Sequence, residues 1–195
     1  MGVTASFNGD PLDAPFNAIV LAGGTAARLD GVDKASVEHQ GRTLLSWALD
    51  AVVDAGEVVV VGDPVPTERP VTFTREDPRH GGPVAAVLTG RDALLRDRPW
   101  LVVLACDMPH LTPATFRRLR DAAAGHDGAV LVGPDGRRQL AFAVAAPALD
   151  AVRPDHEAQH GAALQPLLAR LDLVDVVSVG DEHRDVDTWA DLRDL

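Results

Sequence analysis

Two uninterrupted apolar runs constrain this chain most. Val58-Val59-Val60-Val61 and Trp100-Leu101-Val102-Val103-Leu104-Ala105 offer no polar face, so each reads as a strand covered on both sides. They belong to a longer alternation. Strands are predicted at 17–22, 57–61, 71–74, 100–105, 128–132, 139–145 and 173–179, and helices at 43–55, 83–95, 112–124, 160–170 and 188–194. Thr112 followed by Pro113 reads as an N-cap with proline at the first helical position, and Asp187 or Thr188 as the cap of the last helix. Strands that alternate with helices predict an α/β fold, a three-layer sandwich with a mainly parallel sheet and helices on both faces.

With 195 residues and 46% hydrophobic content, the chain is sized for one domain with a full core. That domain is expected over 17–195. Residues 1–16 lack the basic start and apolar run of a signal peptide and read as a flexible leader. A net charge of −11 argues against nonspecific binding to nucleic acid or to an anionic membrane. Any anionic substrate must therefore meet local positive charge or a metal. The single cysteine, Cys106, excludes an internal disulfide framework and points to a reducing cytoplasm. No segment approaches the ~18 apolar residues of a transmembrane helix.

Ligands in open α/β sheets bind beyond the carboxyl ends of the strands. After the first predicted strand, Ala22-Gly23-Gly24 lets the backbone turn sharply, and Arg28 and Lys34 follow. Lys34 is the only lysine among 18 basic residues, so a compact ammonium is expected to matter there. Glycines at a strand end followed by two cations make a phosphate cradle. The spacing fits neither Walker A, since Asp33-Lys34-Ala35 lacks Gly-Lys-Ser/Thr, nor the dinucleotide fingerprint. Asp107, directly beyond the 100–105 strand, can hold Mg2+ or cap the turn into the next helix. Asp187 can complete that metal site or cap the final helix. Cys106 reads as a small core residue rather than a nucleophile. His156-Glu157-Ala158-Gln159-His160 matches the zinc-protease pattern literally, but Pro154 and Gly161 flank it, so it reads as a loop or helix junction.

Together, Leu21-Ala22-Gly23-Gly24 through Arg28 to Gly31-Val32-Asp33-Lys34, then Gly82-Pro83, Cys106-Asp107-Met108-Pro109 and Asp185-Val186-Asp187-Thr188, resemble the molybdenum cofactor guanylyltransferases. The resemblance runs from about Asn17 to Leu195 and implies a Rossmann-like sheet. It implies an Mg2+-dependent enzyme in which a phosphate of a molybdopterin-type cofactor attacks the α-phosphorus of GTP and pyrophosphate leaves. In that scheme Leu21, Ala22, Gly23 and Gly24 contact the nucleotide, with Gly82 and Pro83 beside it. Arg28 and Lys34 hold phosphates, Asp77 helps to hold the nucleoside, Asp107 ligates the metal, and Asp187 is a second ligand or orders water around it. Gly62 stands where relatives can present a base-contacting asparagine. The resemblance is also compatible with CTP as donor, with another phosphorylated small-molecule acceptor, or with a nucleotide-binding relative without turnover. It implies a monomer or weak homo-oligomer that contacts neither nucleic acid nor membrane.

Overall fold

Side chains in the first strand alternate between two cores: Ala18 and Val20 pack into one apolar cluster, Ile19 and Leu21 into the other. All four are buried, as a strand covered on both faces requires. The structure, a computed structural model, describes residues 15–23 and 32–195. In chain order it contains β1 (Phe16–Leu21), β2 (Glu38–His39), β3 (Arg42–Thr43), α1 (Leu44–Ala51), β4 (Val58–Val61), β5 (Thr72–Thr74) and α2 (Pro83–Asp92). There follow β6 (Trp100–Ala105), α3 (Pro113–Ala122), β7 (Gly128–Val132), β8 (Arg138–Ala145), α4 (Ala146–Ala151), α5 (His156–Gln159), α6 (Leu164–Leu168), β9 (Leu173–Val177) and α7 (Trp189–Arg193).

Seven strands form one sheet in the order β5-β4-β1-β6-β8-β7-β9, and β2 and β3 make a separate two-stranded ribbon. Every pairing in the large sheet is parallel except those of β8 with β6 and β7. Helices α1 and α3 cover one face through Leu45, Leu49, Phe116 and Leu119. Helices α2, α4 and α6 cover the other through Val87, Leu88, Leu149 and Leu168. The expected three-layer α/β sandwich with a mainly parallel sheet is therefore present, and all seven predicted strands occur.

Some helical expectations change. The helix expected over 160–170 is only Leu164–Leu168, because Gly161 has a φ of +69° and breaks the path from α5. Helix α4 was not expected. It begins at the residue after β8 with no turn between them. Phe16, assigned to the leader, is the buried first residue of β1.

Three threonines set helix starts. Thr43 accepts from Ser46 N at 3.1 Å, Thr112 from Thr115 N at 3.3 Å, and Thr188 from Asp191 N at 3.2 Å. The caps of α3 and α7 are therefore threonines, and neither Asp107 nor Asp187. Met108, Leu111 and Phe116 bury the chain that leaves β6.

A polar network fixes the segment between β9 and α7. The buried carboxylate of Glu182 accepts from Thr115 Oγ1 at 2.5 Å, from both Arg118 terminal nitrogens at 3.1 and 2.6 Å, and from Val179 N at 2.8 Å. Burial alone would raise its pKa. Arg118, Thr115 and the Val179 amide outweigh burial and hold it below its ordinary value of 4.5. A carboxyl depressed in the fold stabilises it above the unfolded pKa, and the contribution disappears as pH falls through the folded value. Glu182→Gln should therefore cost about 1–3 kcal/mol at neutral pH, and its deficit against wild type should shrink below pH 4.5. Urea unfolding of both proteins between about pH 7 and about pH 3 measures this, and a deficit independent of pH would contradict it.

Candidate active site

Asp33 begins the local geometry that presents the lone lysine. Its carboxylate accepts from Ala35 N at 3.2 Å and caps a 3-10 turn over Lys34–Ser36. Ala35 is buried and anchors the turn, so Lys34 projects from a fixed base. On the neighbouring segment, β6 runs beside β1, and Cys106 N donates to Leu21 O at 3.0 Å. Asp107 thus leaves the sheet next to the start of the glycine loop.

The C-terminal segment supplies a third wall. Val186 is fully buried with Val37 and Leu44, and its N–H donates to Asp107 O at 2.9 Å. This plug sets Asp187 beside Asp107. Lys34 Nζ then donates to Asp107 Oδ2 and to Asp187 Oδ1, each at 2.7 Å. Lys34 and Asp107 keep only 18% and 17% of their side-chain surface exposed, and Asp187 keeps 44%. Burial would lower the lysine pKa, but hydrogen bonds to Asp107 and Asp187 and their charges drive it well above the usual lysine range. Lys34 is therefore a permanent cation. Asp185, on the other side of Val186, has its pKa raised by burial and then by the charges of Asp187 and Asp107.

Two hard carboxylate oxygens converging on one cationic point suit Mg2+, which binds through one or two carboxylates and completes its shell with water and substrate phosphates. No three His, Cys, Asp or Glu side chains among the described residues form a fuller metal cage. Cys106 is buried, and burial followed by the charges of Asp107 and Asp33 pushes its thiol far up. It is a core residue, not a nucleophile.

The structure describes Leu21, Ala22, Gly23, Lys34, Gly82, Pro83, Asp107 and Asp187. All lie at or beyond the carboxyl ends of strands or in the segment packed against them. Gly24 and Arg28 lie outside the described residues. Asp77 sits in the loop after β5, with its carboxylate 80% exposed and 3.6 Å from His156 Nε2. Its neighbour Glu76 turns inward instead. Glu76 Oε2 accepts from Gly82 N at 3.2 Å, and Oε1 lies 3.1 Å from where a Cβ on Gly23 would stand. Nothing local in the sequence singles Glu76 out, since its partners are six and 53 residues away. At Gly62 a Cβ would meet Ala22 at 3.0 Å, so this position leaves no room for a base-reading side chain without moving the glycine-loop strand. The H-E-x-x-H match fails as a helical motif: α5 stops at Gln159, and His160 is extended with a ψ of 122°. Arg138 is engaged by Asp175 at 2.8 Å.

Lys34→Met would leave Asp107 and Asp187 side by side without their shared cation. The variant is expected to lose about 1–3 kcal/mol of stability in chelator. Mg2+ should then raise its melting temperature more than that of wild type, because no ammonium competes for the carboxylates. Melting curves with and without Mg2+ decide this, and equal Mg2+ shifts in both proteins would refute it.

The sequence matches the MobA-like NTP transferase domain over residues 18–178. It is 30% identical over 131 residues to a molybdenum cofactor guanylyltransferase of Pseudomonas entomophila, covering 65% of this chain and 68% of that protein. A molybdenum cofactor guanylyltransferase of Acidiphilium cryptum is 38% identical over 121 residues, covering 59% of this chain and 62% of that protein. The chain thus spans about two thirds of the length of these relatives. The fold is shared with molybdopterin-guanine dinucleotide biosynthesis protein A of Archaeoglobus fulgidus, at 21% identity and a TM-score of 0.68 over 91% of this chain and 95% of that one. It is shared also with the Mycobacterium tuberculosis protein Rv0371c, crystallised as a manganese complex, at 18% identity and a TM-score of 0.64 over 92% and 97% of the two chains. With the family's model matched over most of its length and these relatives beside it, the chain belongs to the MobA-like NTP transferase family.

Proposed function

We propose that this protein is a divalent-metal-dependent guanylyltransferase that transfers GMP from GTP to the phosphate of a molybdopterin-type cofactor in a reducing cytoplasm. The observation that carries the reading is Lys34 held between Asp107 and Asp187 at the carboxyl edge of the sheet. The names of the sequence relatives favour guanine as the base and molybdopterin as the acceptor.

In this reading an acceptor phosphate oxygen forms a bond to the α-phosphorus of GTP. The bond from that phosphorus to the β-phosphate bridge breaks, and pyrophosphate carries the electron pair away. No covalent enzyme intermediate is needed, so the residues act by positioning and by neutralising charge. The backbone of Leu21, Ala22 and Gly23 borders the triphosphate, and Lys34 brings a permanent positive charge to it in a molecule of net charge −11. Arg28 belongs to the same cradle by its place in the glycine loop. Asp107 and Asp187 would hold Mg2+, which when bound offsets the charge of the phosphates. Asp187 does not cap α7, since Thr188 takes that place, which supports a role for Asp187 as second ligand or in ordering water around the metal.

Pyrophosphate release from purified protein with molybdopterin, Mg2+ and each nucleoside triphosphate in turn tests the proposal. Release is expected with GTP and not with CTP. Release with CTP alone, or GTP binding with no pyrophosphate from any acceptor, would overturn it. Asp107→Asn and Lys34→Ala should each lower kcat/KM by about 10²–10³-fold, as expected when one preorganised electrostatic partner is lost. A chelator should abolish turnover while leaving the far-UV circular dichroism unchanged.

A further inference from the structure

Metal and phosphate chemistry account for the cations and for Asp107 and Asp187, but not for Glu76. Its carboxylate lies between two glycines that border the nucleotide in the proposed function. Oε2 accepts from Gly82 N, which leads into α2, and Oε1 rests against Gly23 where any side chain would intrude. Gly82 has a φ of +86° and provides no side-chain cap of its own, so Glu76 holds this end of α2 from six residues upstream. Of the two adjacent acids only Glu76 faces inward, since Asp77 is exposed toward His156.

A carboxylate repels phosphates, so in a nucleotide pocket it must face a donor. Guanine presents two adjacent donors, N1–H and the N2 amino group, spaced for the two oxygens of a carboxylate. Adenine and cytosine place a ring-nitrogen acceptor at the equivalent position, which a carboxylate would repel. A Cβ on Gly62 would stand 3.0 Å from Ala22, so the position just after β4 offers no side chain to read the base. We propose that Glu76 is the specificity-determining residue of this site, accepting hydrogen bonds from the N1–H and N2 amino group of guanine while Gly82 N–H and Gly23 fix its orientation. This rests on the nucleotide site of the proposed function and names the side chain that would choose the base.

Equilibrium binding of GTP, ITP, ATP and 2′-deoxy-GTP, with Mg2+, to wild type, Glu76→Gln and Glu76→Ala tests the assignment. ITP lacks the N2 amino group. Wild type is expected to bind GTP about tenfold or more tightly than ITP, and tighter still than ATP. Both variants should lose at least about tenfold for GTP while ATP affinity holds, so that the GTP-to-ATP and GTP-to-ITP ratios collapse toward one. If Glu76 only braces α2, all four nucleotides weaken by the same factor in both variants, and the proposal is overturned. If it holds the ribose, the deoxy-GTP ratio changes and the ITP ratio does not, which also overturns it. A wild-type protein that prefers CTP or binds no triphosphate overturns the proposed function itself. That failure appears before any variant is compared.

Discussion

One ammonium shared by two carboxylates joins three stretches of chain that are remote in sequence. Lys34 lies 73 residues from Asp107 and 153 from Asp187, yet Nζ is 2.7 Å from each. Among the described residues this is where the turn after the glycine loop, the end of β6 and the C-terminal segment come together through charge. Asp107 alone would be costly at its low exposure, and the two carboxylates would repel. A central cation makes the arrangement favourable.

Apolar contacts decide that the three charges meet. Ala35 pins the turn beneath Lys34, and Val186, fully buried, pins the chain between Asp185 and Asp187. Farther out, Glu182 ties the approach to Val186 onto α3 through Thr115 and Arg118. Hydrophobic plugs and a satisfied buried carboxylate thus do the orienting, while Lys34, Asp107 and Asp187 keep part of their surface in solvent. Rigid support with a polar, reachable tip is what charge-positioning chemistry demands.

Much of this was legible in the sequence, for physical reasons. Continuous apolar runs can only be two-sided strands, so the sheet and its layers followed directly. Gly23, Lys34 and Asp107 were readable because strand ends in open sheets gather at one edge. Whether Asp187 or Thr188 caps the last helix was not, since the two are adjacent and both can accept from a helix N-terminus until Thr188 is seen to take the cap. Helix α4 was hidden because Ala146 continues an apolar strand without a turn. Glu76 was hidden more deeply. Its setting depends on a side chain that Gly23 lacks and on an amide six residues ahead, and neither leaves a pattern in composition or periodicity. Asp77, the more conspicuous acid by resemblance, points to solvent beside His156.

The reversal of β8 has a consequence for how such a protein can change over time. Because β8 alone runs against the sheet, its amino end at Arg138 shares an edge with the carboxyl ends of β1, β6 and β7. The tight turn from Gly133 to Arg137, closed by Gly133 N to Arg137 O at 2.9 Å, therefore opens on the same edge as Lys34 and Asp107. A hairpin tip can lengthen, shorten or exchange charges without disturbing any crossover helix. Evolution can remodel this rim, on the side of Asp107 away from β4 and β5, while the rest of the sheet keeps its register.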